Sequence, residues 1–334
     1  MASLYTSRWT YYKVVALSTI ALIPLIRTGI YPHYIRPEDG RGKTVILIGA
    51  TGTIGTAAAY ELARKNCRLI MACRNMNECK MLRRELVLMT KNESITCKRL
   101  NLEDIDSMNE FADYVIREEP HLDALVNASG VRELPDRQLT RYGIEKHFWV
   151  NFLAPYFLTS RLLDKLKERA KETGDCRIVN IIGTPKRRWS IVPDDINFEK
   201  RKYKPRIAYE QSKLALAHYT ILLNKFHNDQ GIRAYGVSPP NRVQPILEYK
   251  TVASRILYIL GLYISVPASH ACTGLIVGSI DKKVVEDDRS GGELISYLGQ
   301  SWGRNKGWGP IADRSLEADR TWNLGAELLL KIAT

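Results

Sequence analysis

The sequence predicts an α/β fold: a doubly wound parallel sheet in one domain, preceded by an N-terminal membrane-associated segment. Three features carry this reading. From Lys43 onward, apolar strand-like runs alternate with helix-like ones, an order that builds a parallel sheet covered on both faces. A glycine-rich turn stands between the first such strand and the first such helix, and residues 1–42 hold a short apolar run with basic flanks.

Taken in order, residues 44–48 read as the first strand and 53–65 as the first helix. A strand at 68–72 and a helix at 77–89 follow, then a strand at 95–99 and a helix at 104–118. Residues 122–127 and 176–182 are the fourth and fifth strands, separated by a helical stretch over 139–171 that Pro155 should break. A helix carrying Tyr209, strands at 233–237 and 293–298, and a C-terminal helix through 322–329 complete the series. The 334 residues divide into a segment of 1–42 and a domain of 43–334, a normal size for one such sheet.

Composition narrows the class. With 45% hydrophobic and 25% charged residues the chain is globular. A net charge of +13 suits a polyanionic ligand or an anionic membrane surface. Aromatic residues are not interleaved with the basic ones as a base-stacking platform requires, so nucleic acid is not an expected partner. The six cysteines form no CxxC pair and have no histidine at ligand spacing, so they read as buried thiols of a reducing compartment, with no metal.

Val14 to Ile26 is an apolar run of 13 residues between Lys13 and Arg27, shorter than the roughly 20 a spanning helix needs. Tyr11, Tyr12, Tyr31 and Tyr34 extend it as interfacial anchors, while Pro24 would kink it. A cleaved signal peptide lacks its small-residue cleavage site, and a transit peptide is the weaker alternative. A retained anchor is the favoured reading, with Arg36, Arg41 and Lys43 marking the cytoplasmic side.

The loop Gly49-Ala50-Thr51-Gly52-Thr53-Ile54-Gly55 follows an apolar strand and opens a helix. That is the setting in which glycines let a backbone approach a dinucleotide pyrophosphate at a helix N-terminus, as in a Rossmann fold. At the end of the second strand an acid would bind a ribose 2′-hydroxyl and a base a 2′-phosphate. The residue here is Arg74, which favours NADP(H) over NAD(H). Tyr209 and Lys213 lie four apart on one predicted helix face, where an ammonium would make the phenol proton transferable.

From Lys43 to the end the chain resembles the retinol-dehydrogenase-like branch of the short-chain dehydrogenases/reductases. The matching stretches are Glu61-Leu62-Ala63-Arg64, Ala72-Cys73-Arg74, Tyr142 through Asn151, Arg177-Ile178-Val179-Asn180, Tyr209 through Lys213, and Trp322 through Leu329. The resemblance implies a membrane-anchored enzyme acting on lipophilic alcohols, aldehydes or ketones. It makes Tyr209 the general acid/base, gives Lys213 the nicotinamide ribose, and assigns Asn151 to a water-mediated proton relay. It adds Asn101, Asn127 and Gly130 to the cofactor-binding set.

The chain departs from the family pattern at five places. The serine that orients the substrate oxygen is missing from Asn180-Ile181-Ile182-Gly183-Thr184, where Thr184 could substitute if the strand end shifts by one residue. Gly52 precedes Thr53 where the family has glycine, Asn127-Ala128-Ser129-Gly130 replaces Asn-Asn-Ala-Gly, and Asn101 replaces an aspartate. Pro239-Pro240 replaces Pro-Gly.

Two patches remain. Lys186-Arg187-Arg188 and the basic run from Lys200 to Arg206 read as a solvated loop or as a contact for anionic headgroups. The apolar run 256–266 reads as a lid dipping toward a bilayer or as a buried helix. Two functions therefore stand: an active membrane-attached NADP(H) oxidoreductase, and a catalytically impaired homologue serving as a membrane scaffold or assembly subunit. The expected partners are a lipophilic small molecule and a membrane surface, the endoplasmic reticulum before the mitochondrion, with a homodimer left open.

Overall fold

In the computed structural model, residues 39–132, 134–240, 243–244, 265–282, 284, 294–296, 301–302, 308 and 315–333 are described. The proposed anchor, most of the 256–266 run and part of the C-terminal third lie outside them. Among the described residues no helix is long and apolar enough to cross a membrane.

The first half alternates as the pattern predicts: β1 (Thr44–Ile48), α1 (Thr53–Arg64), β2 (Arg68–Cys73), α2 (Met76–Thr90), β3 (Ile95–Arg99), α3 (Ile105–Glu118) and β4 (Ala124–Asn127). One α turn, Lys146–Phe148, and a π-helical stretch, Trp149–Leu153, lead into α4 (Ala154–Thr173). After these come β5 (Cys176–Ile181), α5 (Pro205–His227), β6 (Ile232–Ser238), the short pair β7 (Val243–Gln244) and β8 (Val266–Pro267), α6 (Thr273–Ile280), β9 (Leu294–Ser296), β10 (Ser301–Trp302) and α7 (Ser315–Ala333).

The main sheet runs β10-β9-β6-β5-β4-β1-β2-β3. All neighbours pair in parallel except β10, which closes the edge antiparallel to β9. Chain order reverses between β1 and β4, where Ile48 lies opposite Asn127. In an open parallel sheet the ligand crevice forms at the carboxyl ends of the strands at this switch point.

Strand alternation sorts the core onto two faces. Ile46 and Ile48 face a layer built from α3, α4, α5 and α7, whereas Val45 and Leu47 face α1, α2 and α6. The C-terminal helix docks on α5 through Trp322 stacked on Tyr219 at 5.2 Å and through a His218–Thr321 hydrogen bond of 3.0 Å.

Two expectations need correction. The helix read over 139–171 begins at Lys146, because Gly143 takes a φ of +72° in a turn that returns the chain onto itself, with Leu139 bridged to Glu145. Pro155 does mark a break, with the π stretch on its N-terminal side. The cysteines are not all thiols: Cys79 on α2 and Cys97 on β3 are joined in a disulfide, although 18 residues separate them in sequence. Cys67, Cys73, Cys176 and Cys272 are buried and free. Burial pushes the Cys67 and Cys176 thiols up to about 12, which leaves them unreactive.

Candidate active site

Above the switch point a cleft of about 470 Å³ opens. Its floor is the glycine loop. Gly49 leaves β1 at a φ of +81° and hydrogen-bonds back to Ala72, while Gly52 donates to the Gly49 carbonyl at 3.0 Å. A Cβ on Gly49 would lie 2.9 Å from three atoms of Ser129, and one on Gly55 would lie 2.1 Å from the Gly49 carbonyl oxygen. Only glycine fits at either position. Gly52 is less restricted, its added Cβ meeting the Gly49 oxygen at 3.3 Å. It caps α1 without a side-chain hydrogen bond, so the first backbone N–H groups of that helix, on Thr53 and Ile54, suit an anion.

Of the expected cofactor residues, Gly49, Thr51, Gly52, Arg74, Asn101 and Gly130 line this cleft. Thr53, Ile54, Gly55, Asn127 and Lys213 do not. Gly55 packs α1 against the loop, and Asn127 accepts a hydrogen bond from Ser129 Oγ at 3.0 Å, fixing the facing wall. Asn101 spends its side-chain oxygen on the Glu103 N–H, at 3.2 Å. Arg74 is 77% exposed and lies 3.6 Å from Glu103. It also lines an adjoining hollow of about 400 Å³ with Asn75, Asn77 and Arg99. The sequence reading passed over Arg99, which the β2–β3 register sets beside Cys73.

Tyr209 and Lys213 project from α5. Lys213 is 3% exposed, and its ammonium donates to the carbonyl of Ile181, the last residue of β5, at 2.7 Å. It lies 6.0 Å from the Tyr209 ring centre. Burial pulls the ammonium down to about 8. Gly130 brings the β4 loop against both partners: a Cβ there would be 2.9 Å from Asn151 Oδ1 and 3.5 Å from the Lys213 nitrogen.

Asn151 sits in the π stretch, a distortion often found at functional sites. Its side chain is committed to holding structure. Oδ1 accepts from Val131 N at 2.8 Å, and Nδ2 donates to Val131 O and to Ser212 Oγ, each at 3.0 Å. Pro155 has no N–H to offer the Asn151 carbonyl four residues earlier, so the backbone oxygen loses its usual helical partner. The Trp149 indole donates to Leu102 O at 2.7 Å and ties this stretch to the cleft floor.

Thr184 turns toward β6. Ile182 N and Gly183 N both donate to Val237 O, Gly183 takes a φ of +99°, and the Thr184 hydroxyl reaches Ser238 Oγ at 2.8 Å. Ser238 was also missed, as were two neighbours of the Tyr209 ring: His147 edge-on at 6.3 Å and Arg132 over its face at 5.8 Å. Among the described residues no cluster could hold a metal.

Residues 43–188 match the short chain dehydrogenase family. Human retinol dehydrogenase 13 is 37% identical over 198 residues, 59% of this chain and 58% of that protein. The chain thus spans under two thirds of that relative. Mouse retinol dehydrogenase 12 is 32% identical over 289 residues, 86% of each chain. A crystal structure of a putative NAD(P)-dependent gluconate 5-dehydrogenase from Beutenbergia cavernae, with bound NADP, superposes with a TM-score of 0.57 at 18% identity, covering 79% of this chain and 98% of that one. The chain belongs to the short-chain dehydrogenases/reductases, in their retinol-dehydrogenase-like branch.

Proposed function

We propose that the chain is a membrane-associated, NADP(H)-dependent oxidoreductase that interconverts a lipophilic alcohol and its aldehyde or ketone, with Tyr209 as general acid/base. The observation that carries this reading is the convergence of Lys213 and Asn151 on Gly130, a wall residue of the cleft floored by Gly49, with the Tyr209 ring 6.0 Å from the Lys213 ammonium.

The residues fit a dinucleotide. Gly49, Thr51 and Gly52, with the backbone of Thr53 and Ile54, would hold the pyrophosphate. Arg74 and Arg99 would hold a 2′-phosphate, Asn101 and Asn127 would shape the adenine and loop walls, and Lys213 would hold the nicotinamide ribose. When bound, the nicotinamide supplies or takes up the hydride. Tyr209 hands a proton to the substrate oxygen or removes one, and the Lys213 ammonium favours the phenolate by its charge. Thr184, held by Ser238, is the hydroxyl left to orient that oxygen. Since the Asn151 side chain is engaged, its carbonyl is the group to bind a relay water. The relatives' names favour a retinoid-like substrate over a steroid or polyprenoid. Attachment to the endoplasmic reticulum, or else the mitochondrion, rests on the 1–42 sequence.

Two measurements test this assignment. Arg74→Asp exchanges a charged hydrogen bond of about 2 kcal/mol for repulsion, so calorimetry should find NADPH weakened roughly 30-fold with NADH little changed. Equal weakening of both would defeat the NADP(H) assignment. In the pH profile of carbonyl reduction, kcat/KM should decline as pH rises through about 8, where the Lys213 ammonium is lost. Lys213→Arg, whose guanidinium stays charged, should move that decline upward. A profile flat to pH 10 would remove Lys213 from the mechanism.

A further inference from the structure

The run Lys186-Arg187-Arg188 lies outside the nucleotide cleft and has no part in the proposed reaction. Ser190 follows it, two residues after Arg188 and three after Arg187. A turn closed by Trp189 N onto Lys186 O shapes this loop. Trp189 is buried, 5% exposed, and pins the loop to the core, while Ser190 on its other side is exposed. A serine hydroxyl at the surface, with guanidinium groups two and three residues before it, has the charge pattern that a protein kinase with an acidic substrate cleft selects.

Beside Ser190 lies a cavity of about 330 Å³, lined by Arg188, Lys204, Arg206 and Glu210 as well as by Ser190 itself. Arg188 Nη2 and Arg206 Nε donate to one oxygen of Glu210, at 2.7 and 3.0 Å. A guanidinium has five N–H donors, so each retains others for a second acceptor. Three cations face one carboxylate, an excess of two positive charges, which a serine phosphate carrying about −1.5 to −2 would neutralise. The cavity also adjoins the start of α5, where Lys204 provides no side-chain cap.

We propose that Ser190 is a phosphorylation site, and that its phosphate docks in this cavity on Arg188, Lys204 and Arg206, at the start of the helix that carries Tyr209. The γ-phosphoryl group of ATP passes to Ser190 Oγ as the bond to ADP breaks, and the hydroxyl proton leaves to the base of the kinase. The docked phosphate competes with Glu210, the neighbour of Tyr209, for both arginines. It ties the loop that carries Thr184 to α5.

The full chain, incubated with a basophilic serine kinase and labelled ATP, should take up one phosphate at Ser190. Labelling should vanish in Ser190→Ala and fall at least ~10-fold in Arg187→Gln/Arg188→Gln, as loss of two recognition charges requires. Limited trypsin digestion then reads the docking: cleavage after Arg188 and Arg206 should slow roughly 10-fold in the phosphorylated chain, since ordering the segment lowers its open population. An unlabelled folded chain, or label that persists in Ser190→Ala, would overturn the site. Equal tryptic rates with and without phosphate would overturn the docking.

Discussion

Tyr209→Phe should lower turnover of a lipophilic aldehyde about 10³-fold, in the range lost when a positioned general acid is removed, with NADPH affinity and melting temperature unchanged. The substitution removes one hydroxyl and keeps the ring that packs edge-on to His147 and under Arg132. Lys213 keeps its hydrogen bond to Ile181, and Asn151 keeps its bonds to Val131 and Ser212. The expected loss is therefore confined to kcat and should not be mirrored in nucleotide binding. Turnover that survives the substitution would move the proton donor elsewhere, and a matching fall in NADPH affinity would make Tyr209 a binding residue.

Gly55→Ala should weaken nucleotide binding by roughly 100-fold, the scale of a displacement of about 1 Å at a positioned site. The new methyl would stand 2.1 Å from the Gly49 oxygen, 2.9 Å from the Gly49 carbonyl carbon and 3.1 Å from Ala50 Cα, all backbone atoms. The loop cannot retreat, because Gly49 is itself packed against Ser129 from the other side. Overpacking of this kind also costs about 1–3 kcal/mol of stability, visible as a lower urea midpoint. Gly52→Ala, with only the 3.3 Å contact to relieve, should leave the midpoint nearly in place. Similar midpoints for the two variants would mean that the loop yields, and the close-packing argument would fail.

The parts of this molecule legible in sequence are those fixed by neighbours in the chain. The bounds of β1 follow from an apolar run that ends at a glycine turn, and the glycine loop and the Tyr209–Lys213 spacing are local patterns. What was missed depends on register and packing. Arg99 stands near Arg74 only because β3 pairs in register with β2, and Ser238 meets Thr184 only because Ile181 lies opposite Val237. The Cys79–Cys97 bond needs α2 to lie over β3. The start at Lys146 was hidden because the turn around Gly143 lies in a segment whose composition reads as helix, and because Glu145 caps from inside that segment, accepting from Phe148 N at 3.0 Å. The π stretch at Asn151 was signalled by Pro155, which a helical pattern reports as a break without saying what form the break takes.

The central claim, that Tyr209 and its neighbours complete an NADP(H)-dependent oxidoreductase, is tested most directly by label transfer. The full chain in lipid vesicles, given NADPH deuterated at the nicotinamide C4 and a retinoid aldehyde, should yield an alcohol carrying deuterium at the former carbonyl carbon. An unlabelled product would contradict the account, and no product while calorimetry shows NADPH bound would contradict it and favour the scaffold reading that the Gly183-Thr184 departure first raised.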